Sequence, residues 1–146
     1  MFRQPSKLKA DEEKLVDELI DDLPVFKHDF EQLLIFLRDV DGEISPTRFA
    51  RIFSFDLRTL AVAATVPIDM LWNSPHDERI QRYLRDCLQI TQAAANVANS
   101  VEQGVFWVKN TPIPYFGCNT GCMLVSVGRT NDVITYLNSL EAGFCG

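Results

Sequence analysis

The sequence predicts an all-α fold, and three observations support this prediction. Apolar residues recur three and four positions apart through most of the chain, as they do on one face of a helix. Residues that typically begin or end helices flank these stretches, among them Ser45, Thr120 and Gly128. The apolar fraction of 47% is large enough to form a core, which excludes a largely disordered chain. Three parts are expected: a helical N-terminal extension (1–44), a helix-turn-helix-like region with a linking helix (45–99) and a small helical C-terminal domain (100–146).

The N-terminal extension contains two amphipathic patterns separated by Pro24. Acidic residues are concentrated here, since residues 1–50 carry 7 basic and 12 acidic side chains. The whole chain has a net charge of −6, which excludes a uniformly basic nucleic-acid binder but not a local basic face. We expect the extension to dimerise the chain, to shield part of it or to pack on its core. Its apolar residues are Leu15, Val16, Leu19, Ile20 and Leu23 in the first pattern, and Phe26, Phe30, Leu33, Leu34 and Leu37 in the second.

The middle region has the sequence shape of a helix-turn-helix. Ser45 and Pro46 are suited to the cap and first position of a helix that extends to about Phe53. An alanine-rich helix over 56–64 and a second short helix over 68–72 are separated by a tight turn, which is typical of the motif. A further start signal at 74–77 opens a long helix that reaches about residue 98.

DNA binding by this region stays an open question. A helix-turn-helix reads bases with the early part of its second helix, but residues 67–73 contain no arginine or lysine. Bidentate recognition of guanine is therefore excluded there, and Asp69 would repel phosphate. Asn73 is able to contact adenine, and the arginines of the region either bind backbone phosphates or form a solvated helix face. The candidate DNA-contacting residues are Arg48, Arg51, Arg58, Asn73, Arg79 and Arg82, with Arg85 as a further cation.

Two helices joined by a glycine turn are expected in the C-terminal domain. An aromatic-rich helical segment from Gly104 leads into a loop interrupted by Pro112 and Pro114. Thr120 is suited to cap the next helix, and Gly128 to end it in a left-handed conformation. A last helix begins at about residue 130 and ends at Gly143. Its apolar side consists of Val133, Ile134, Leu137 and Leu140.

Residues 104–146 resemble the toxin-binding domain of the Xre–MbcA–ParS antitoxins. The similarity covers about 40 residues in register and ends at the C-terminus, and it extends more faintly over 45–99, where that family has a helix-turn-helix and a linking helix. Residues 1–44 do not match the family. The matching positions are Trp107-Val108, the segment from Thr111 to Pro114, Thr120, Leu124, Val125, Gly128, Val133, Tyr136, Leu137 and Gly143.

This resemblance implies a function as the antitoxin of a bacterial toxin–antitoxin pair, acting in the cytoplasm and forming a homodimer. The partner it implies is a toxin of the RES or ADP-ribosyltransferase type, which consumes NAD or uses it to modify a target, and whose active-site entrance the C-terminal domain covers. The alternatives are a DNA-binding transcriptional regulator, for which its own operon is a candidate target, and an adaptor that has kept the binding domain without a toxin. The apolar residues among the expected toxin-binding positions either contact the toxin or pack in the core. The expected toxin-binding residues are Phe116, Thr120, Met123, Gly128, Arg129, Gly143, Phe144 and Gly146.

The sequence does not point to an enzyme, a cofactor or a bound metal. Cys118 and Cys122 have a spacing that zinc sites use, but a second ligand pair is missing. Neither an activating base for a cysteine nor a glycine-rich phosphate-binding motif is recognisable. Because the first residues lack an apolar signal sequence and no apolar run approaches the ~20 residues of a membrane helix, we expect reduced thiols in the cytosol and no membrane partner.

Overall fold

Within residues 29–143, the part of the chain that the computed structural model describes, the all-α prediction is confirmed. Two isolated bridges, Arg38 with Ile44 and Ile113 with Asn119, close loops without forming strands. The predicted helix around 15–23, the beginning of the second pattern at Phe26 and the expected contact residues Phe144 and Gly146 lie outside the described residues. The helices are α1 (Phe30–Leu37), α2 (Pro46–Phe53), α3 (Leu57–Ala64), α4 (Met70–Asn73), α5 (Glu78–Ala98), α6 (Val101–Asn110), α7 (Gly121–Ser126) and α8 (Thr130–Glu141), with a 3₁₀ turn at Pro114–Phe116.

Side-chain caps define most of the helix starts, as the sequence indicates. The hydroxyl of Ser45 accepts a hydrogen bond from the Arg48 backbone N–H at the start of α2, and Thr120 does the same for Met123 at the start of α7. Helix α5 differs from its prediction, because Asp77 caps it, three residues after the predicted start signal at Ser74. An aspartate favours the cap position through both its hydrogen bond and its charge at the positive end of the helix dipole.

The 21-residue helix α5 is the centre of the fold, and α6, α7 and α8 pack around it. Helix α6 folds back after Asn99, which adopts a left-handed conformation (φ 59°), and it lies very close to α5 at Gly104. A Cβ at Gly104 would be 2.8 Å from the Ala95 nitrogen and 3.0 Å from the Thr91 oxygen. Only glycine permits this approach without moving one of the two backbones.

One hydrophobic core runs through all the described elements. Helix α2 contributes the stacked rings of Phe49 and Phe53, whose centroids are 4.2 Å apart. Helix α8 contributes Val133 and Leu137, both buried. The predicted boundaries near 44 and 99 therefore fall within a region that shares one core, and the division into three parts stays a prediction.

A buried glutamine links the first elements to α5. Gln81 is 1% exposed, and its amide Nε2 donates to the backbone oxygens of Ile44 (2.8 Å) and Pro75 (2.9 Å). Its Oε1 accepts from the Ile44 N–H at 3.1 Å. The side chain therefore satisfies backbone groups of two loops that no helix provides for.

The helix-turn-helix-like pair consists of α3 and α4, which the turn at 65–69 separates. Helix α3 spans the predicted range closely and ends at Thr65 in a left-handed conformation (φ 60°). Helix α4 is a single turn of four residues and begins two residues later than predicted. None of the helices in 29–143 is long and apolar enough to cross a bilayer.

Candidate partner-binding surface

The turn between α7 and α8 has the conformation that the sequence predicts. Gly128 has a φ of +82° and is exposed, and the Arg129 N–H donates to the Leu124 oxygen at 2.8 Å, which closes the turn. Met123 of α7 and Val127, the residue that follows this helix, lie four positions apart and are 51% and 68% exposed. An apolar ridge at the end of α7 therefore leads directly into the Gly128–Arg129 turn.

An aromatic cluster supports Arg129 beside this ridge. The guanidinium carbon of Arg129 lies 5.1 Å from the ring centroid of Phe116, and its Nε donates to Asp132 Oδ2 at 2.8 Å. The Phe116 ring meets Tyr136 edge-on at 5.8 Å, and Tyr115 stacks on Tyr136 at 6.1 Å. Arg129 is thus held by a ring and a carboxylate while about half of its side chain remains exposed.

The expected toxin-binding residues divide into exposed and supporting positions. Met123, Gly128, Arg129 and Gly143 are exposed. Phe116 is 9% exposed, so it acts mainly as the base on which Arg129 rests. Thr120 is half-buried as the cap of α7. The exposed tyrosine next to Phe116, Tyr115 (78% exposed), was not singled out by the sequence, because one exposed ring in a Pro-rich loop carries no periodic signal. We name Tyr115, Met123, Val127, Gly128 and Arg129 the C-terminal surface.

A polar groove of about 570 Å³ borders the C-terminal surface. Arg79 and Arg82 of α5 line one side of it, and Gly128 and Asn131 line the other. Arg79 is paired with Asp77, with 3.1 Å from its Nε to Asp77 Oδ1, and this contact raises the pKa of the guanidinium. The structure therefore places two predicted DNA-contacting arginines beside a predicted toxin-contacting glycine, a proximity that their sequence separation does not reveal.

The other candidate DNA contacts are differently placed. Arg48 Nη1 donates to the backbone oxygens of Phe36 (3.0 Å) and Arg38 (3.2 Å), which ties its guanidinium to the fold. Arg51 is half-buried on α2, whereas Arg58 and Asn73 are exposed on α3 and α4. Arg58, Asn73 and Arg82 therefore offer the more accessible polar groups of this set.

A second groove, of about 480 Å³, is mainly apolar and lies where α5, α6 and α8 meet. Phe106 and Trp107 of α6 line it, together with Val97 of α5 and Leu140 of α8. Leu140 is three residues before Gly143, where α8 has ended with a φ of +85°. The last turns of α8 therefore form one wall of an apolar depression.

The buried thiol of Cys87 is not a reactive nucleophile. Cys87 is fully buried, and burial together with the neighbouring Cys122 thiol raises its pKa well above the usual thiol range. Burial also raises the pKa of Tyr83, whose hydroxyl donates to the Cys122 backbone oxygen at 3.4 Å. Both groups stay neutral at physiological pH, whereas a nucleophilic cysteine needs a lowered pKa.

A small charged cluster that the sequence did not predict joins two loops. His76 Nε2 lies 2.8 Å from Asp39 Oδ2 and 4.0 Å from Asp41 Oδ2, and all three residues carry atoms of the kind that bind metals. Asp39 also accepts hydrogen bonds from the backbone N–H groups of Asp41 and Glu43. These bonds account for the geometry of the cluster, which acts as a link between the segment after α1 and the segment before α5. The partners are 37 residues apart, so no local pattern announces them.

This link predicts a pH-dependent contribution to stability. The hydrogen bond to Asp39 raises the pKa of His76 above its usual 6.5. Desolvation opposes ionisation of Asp39, but bonds from His76 and from the backbone outweigh it and lower the pKa of Asp39 below 3.8. The stability that His76 contributes is complete below pH 6.5 and is lost as the pH rises through the raised pKa of His76. The stability that Asp39 contributes is lost as the pH falls through the lowered pKa of Asp39.

Substituting His76→Gln is therefore expected to lower the Tm more near pH 5, where His76 is protonated and Asp39 is ionised, than near pH 9, where His76 is neutral. Thermal unfolding followed by circular dichroism across this range measures the difference. Asp41→Asn is expected to have the same pH dependence but a smaller effect, because Asp41 is more exposed than Asp39 and lies farther from His76. A His76→Gln effect of equal size at both pH values would contradict the charged link.

Comparison of the chain with models of protein families, with curated proteins and with solved structures found no significant match in any of the three.

Proposed function

We propose that this protein is an antitoxin that neutralises an NAD-consuming or ADP-ribosylating toxin by covering its active site with the C-terminal surface. The observation that carries the proposal is the exposure of Met123, Val127 and Tyr115 around a fixed arginine turn. The motif resemblance of residues 104–146 to the toxin-binding domain of Xre–MbcA–ParS antitoxins supports the same assignment.

The chemistry of this surface suits a protein partner. Protein interfaces combine an apolar or aromatic centre with a polar rim, and arginine and aromatic residues contribute much of their binding energy. Met123 is flexible and adapts to an apolar pocket, while Tyr115 presents a ring and a hydroxyl. The ring and carboxylate that hold Arg129 reduce the conformational entropy lost when it binds a partner's acidic group.

A growth assay tests this proposal. The protein is co-expressed with the product of the reading frame adjacent to its own gene, which alone is expected to arrest growth. The double variant Met123→Glu/Arg129→Glu is expected to lose protection, because it places a charge in the apolar centre and reverses the central cation. Removing two such contacts weakens binding by about 100-fold or more. Both side chains are exposed, so the far-ultraviolet circular dichroism spectrum is expected to stay unchanged.

Ile35→Glu is the matched control, since it introduces the same charge at a similarly exposed apolar position, 62% exposed, on α1. It is expected to protect cells as well as the unmodified chain does. Full protection by the double variant would contradict the proposal, as would an adjacent gene product that does not arrest growth.

A DNA-binding regulator is the second candidate, because Arg79 and Arg82 line one groove. Arginines bind phosphates, and such binding weakens steeply as salt increases. Arg82→Glu is expected to reduce the affinity for a promoter fragment in a mobility-shift assay at low salt. Absence of binding by the unmodified chain at low ionic strength would exclude this function.

A further inference from the structure

We propose that residues 11–23 of this chain bind a groove between α1 and α5 and thereby cover the outer face of α5. The groove has a volume of about 250 Å³. Phe30 and Leu34 of α1 and Leu88 of α5 provide its apolar lining, and Arg38 and Arg85 line it as cations beside one carboxylate, Glu43. It therefore combines an apolar surface with an excess of positive charge, a combination that favours an acidic amphipathic ligand.

Residues 11–23 have these properties in their sequence. Five apolar residues recur at helical spacing, and residues 11–22 include seven acidic side chains and one lysine. A helix with this pattern presents an apolar stripe between acidic flanks. Its stripe matches Phe30, Leu34 and Leu88, and its flanks match Arg38 and Arg85.

The position of the groove favours this segment over a free partner. Phe30 both begins α1 and lines the groove, and Leu23 precedes it by seven residues, which extend to about 25 Å at most. A tethered ligand this close has an effective concentration in the millimolar range, so modest contacts suffice for binding.

The charges also favour binding of the chain's own segment over dimerisation, in which the groove would face the same groove of a second molecule. Two such grooves facing one another would bring four arginines together with only two glutamates, and an excess of like charge in an interface is unfavourable. Arg85 currently contacts Glu78 at 2.7 Å, but both side chains are at least half exposed. Because such an exposed ion pair contributes little to stability, Arg85 is able to exchange Glu78 for an acidic residue of the segment.

Site-specific photocrosslinking in the full chain tests the proposal. A photoreactive phenylalanine derivative replaces Gln92, which is exposed and lines the groove. Mass spectrometry is expected to find crosslinks to residues 11–23 of the same chain. Mixing with isotope-labelled copies that lack the probe distinguishes crosslinks within a chain from those between chains.

Leu19→Asp is expected to reduce this crosslink about tenfold, because it places a charge in the apolar stripe. Lys14→Asp is the matched control: it also introduces an aspartate, but on the opposite side of the predicted helix, and is expected to preserve the crosslink. A probe at the exposed Thr135 of α8 is expected to give no crosslink to the segment.

Three results would overturn the proposal. The first is the absence of crosslinks from position 92 to residues 11–23. The second is crosslinking between copies alone, which would make the groove an interface of a dimer. The third is an equal yield in the Leu19→Asp variant and the unmodified chain, which would show that the apolar stripe is not what binds.

Discussion

Replacing Gln81 with leucine is expected to lower the free energy of unfolding by about 3 kcal/mol, because it leaves two buried backbone groups and a partly buried one without hydrogen bonds. These groups are the N–H and oxygen of Ile44 and the oxygen of Pro75. Leucine has a similar size and is more apolar, so a loss of this magnitude would come from unsatisfied polar groups rather than from a cavity. Urea denaturation followed by circular dichroism measures it.

Gln32→Leu is the control for this experiment. It is the same substitution at an exposed position of α1, and it is expected to change stability by no more than about 0.5 kcal/mol. Equal stability of the Gln81→Leu variant and the unmodified protein would show that the three bonds do not hold the loops on α5.

Gly104→Val is expected to destabilise the protein by about 3 kcal/mol or more, because α5 and α6 must separate to admit the new side chain. The added Cβ would meet Ala95 and Thr91 backbone atoms at 3.0 Å or less, and backbone cannot rotate away as a side chain can. Valine is a better helix former than glycine by only a few tenths of a kcal/mol, so intrinsic propensity does not compensate. The midpoint of urea unfolding reports the loss.

Gln103→Val places the same side chain one position earlier, on the exposed side of α6. The Gln103→Val variant is expected to have nearly the same stability as the unmodified protein. If both valine variants unfolded at the same urea concentration, the close approach at Gly104 would not contribute to stability.

Much of the helical architecture follows from local sequence. Ser45 and Thr120 cap helices where predicted, and Gly128 and Gly143 end them with positive φ. These signals are readable because each acts through backbone groups within a few residues. The sequence pattern predicts the start of α5 at Ser74, three residues before the observed cap at Asp77, because both residues have side chains suited to capping.

Features that depend on distant residues were not predictable. Gln81 binds a loop 37 residues away in the sequence. At Gly104, nothing in the neighbouring sequence indicates that α5 packs against the backbone there. The candidate surface shows the same division. Exposure of Arg129 follows from its turn, whereas its position over Phe116 and the groove that joins Gly128 to Arg82 depend on how α5 and α8 pack.

Hydrogen–deuterium exchange of this protein, alone and in complex with the product of the adjacent gene, tests the central claim most directly. If the C-terminal surface binds the toxin, amides of residues 115–131 exchange more slowly in the complex, while those of α1 to α3 keep their rates. Protection confined to α1, α2 and α3, with unchanged exchange at 115–131, would contradict the proposed mode of binding.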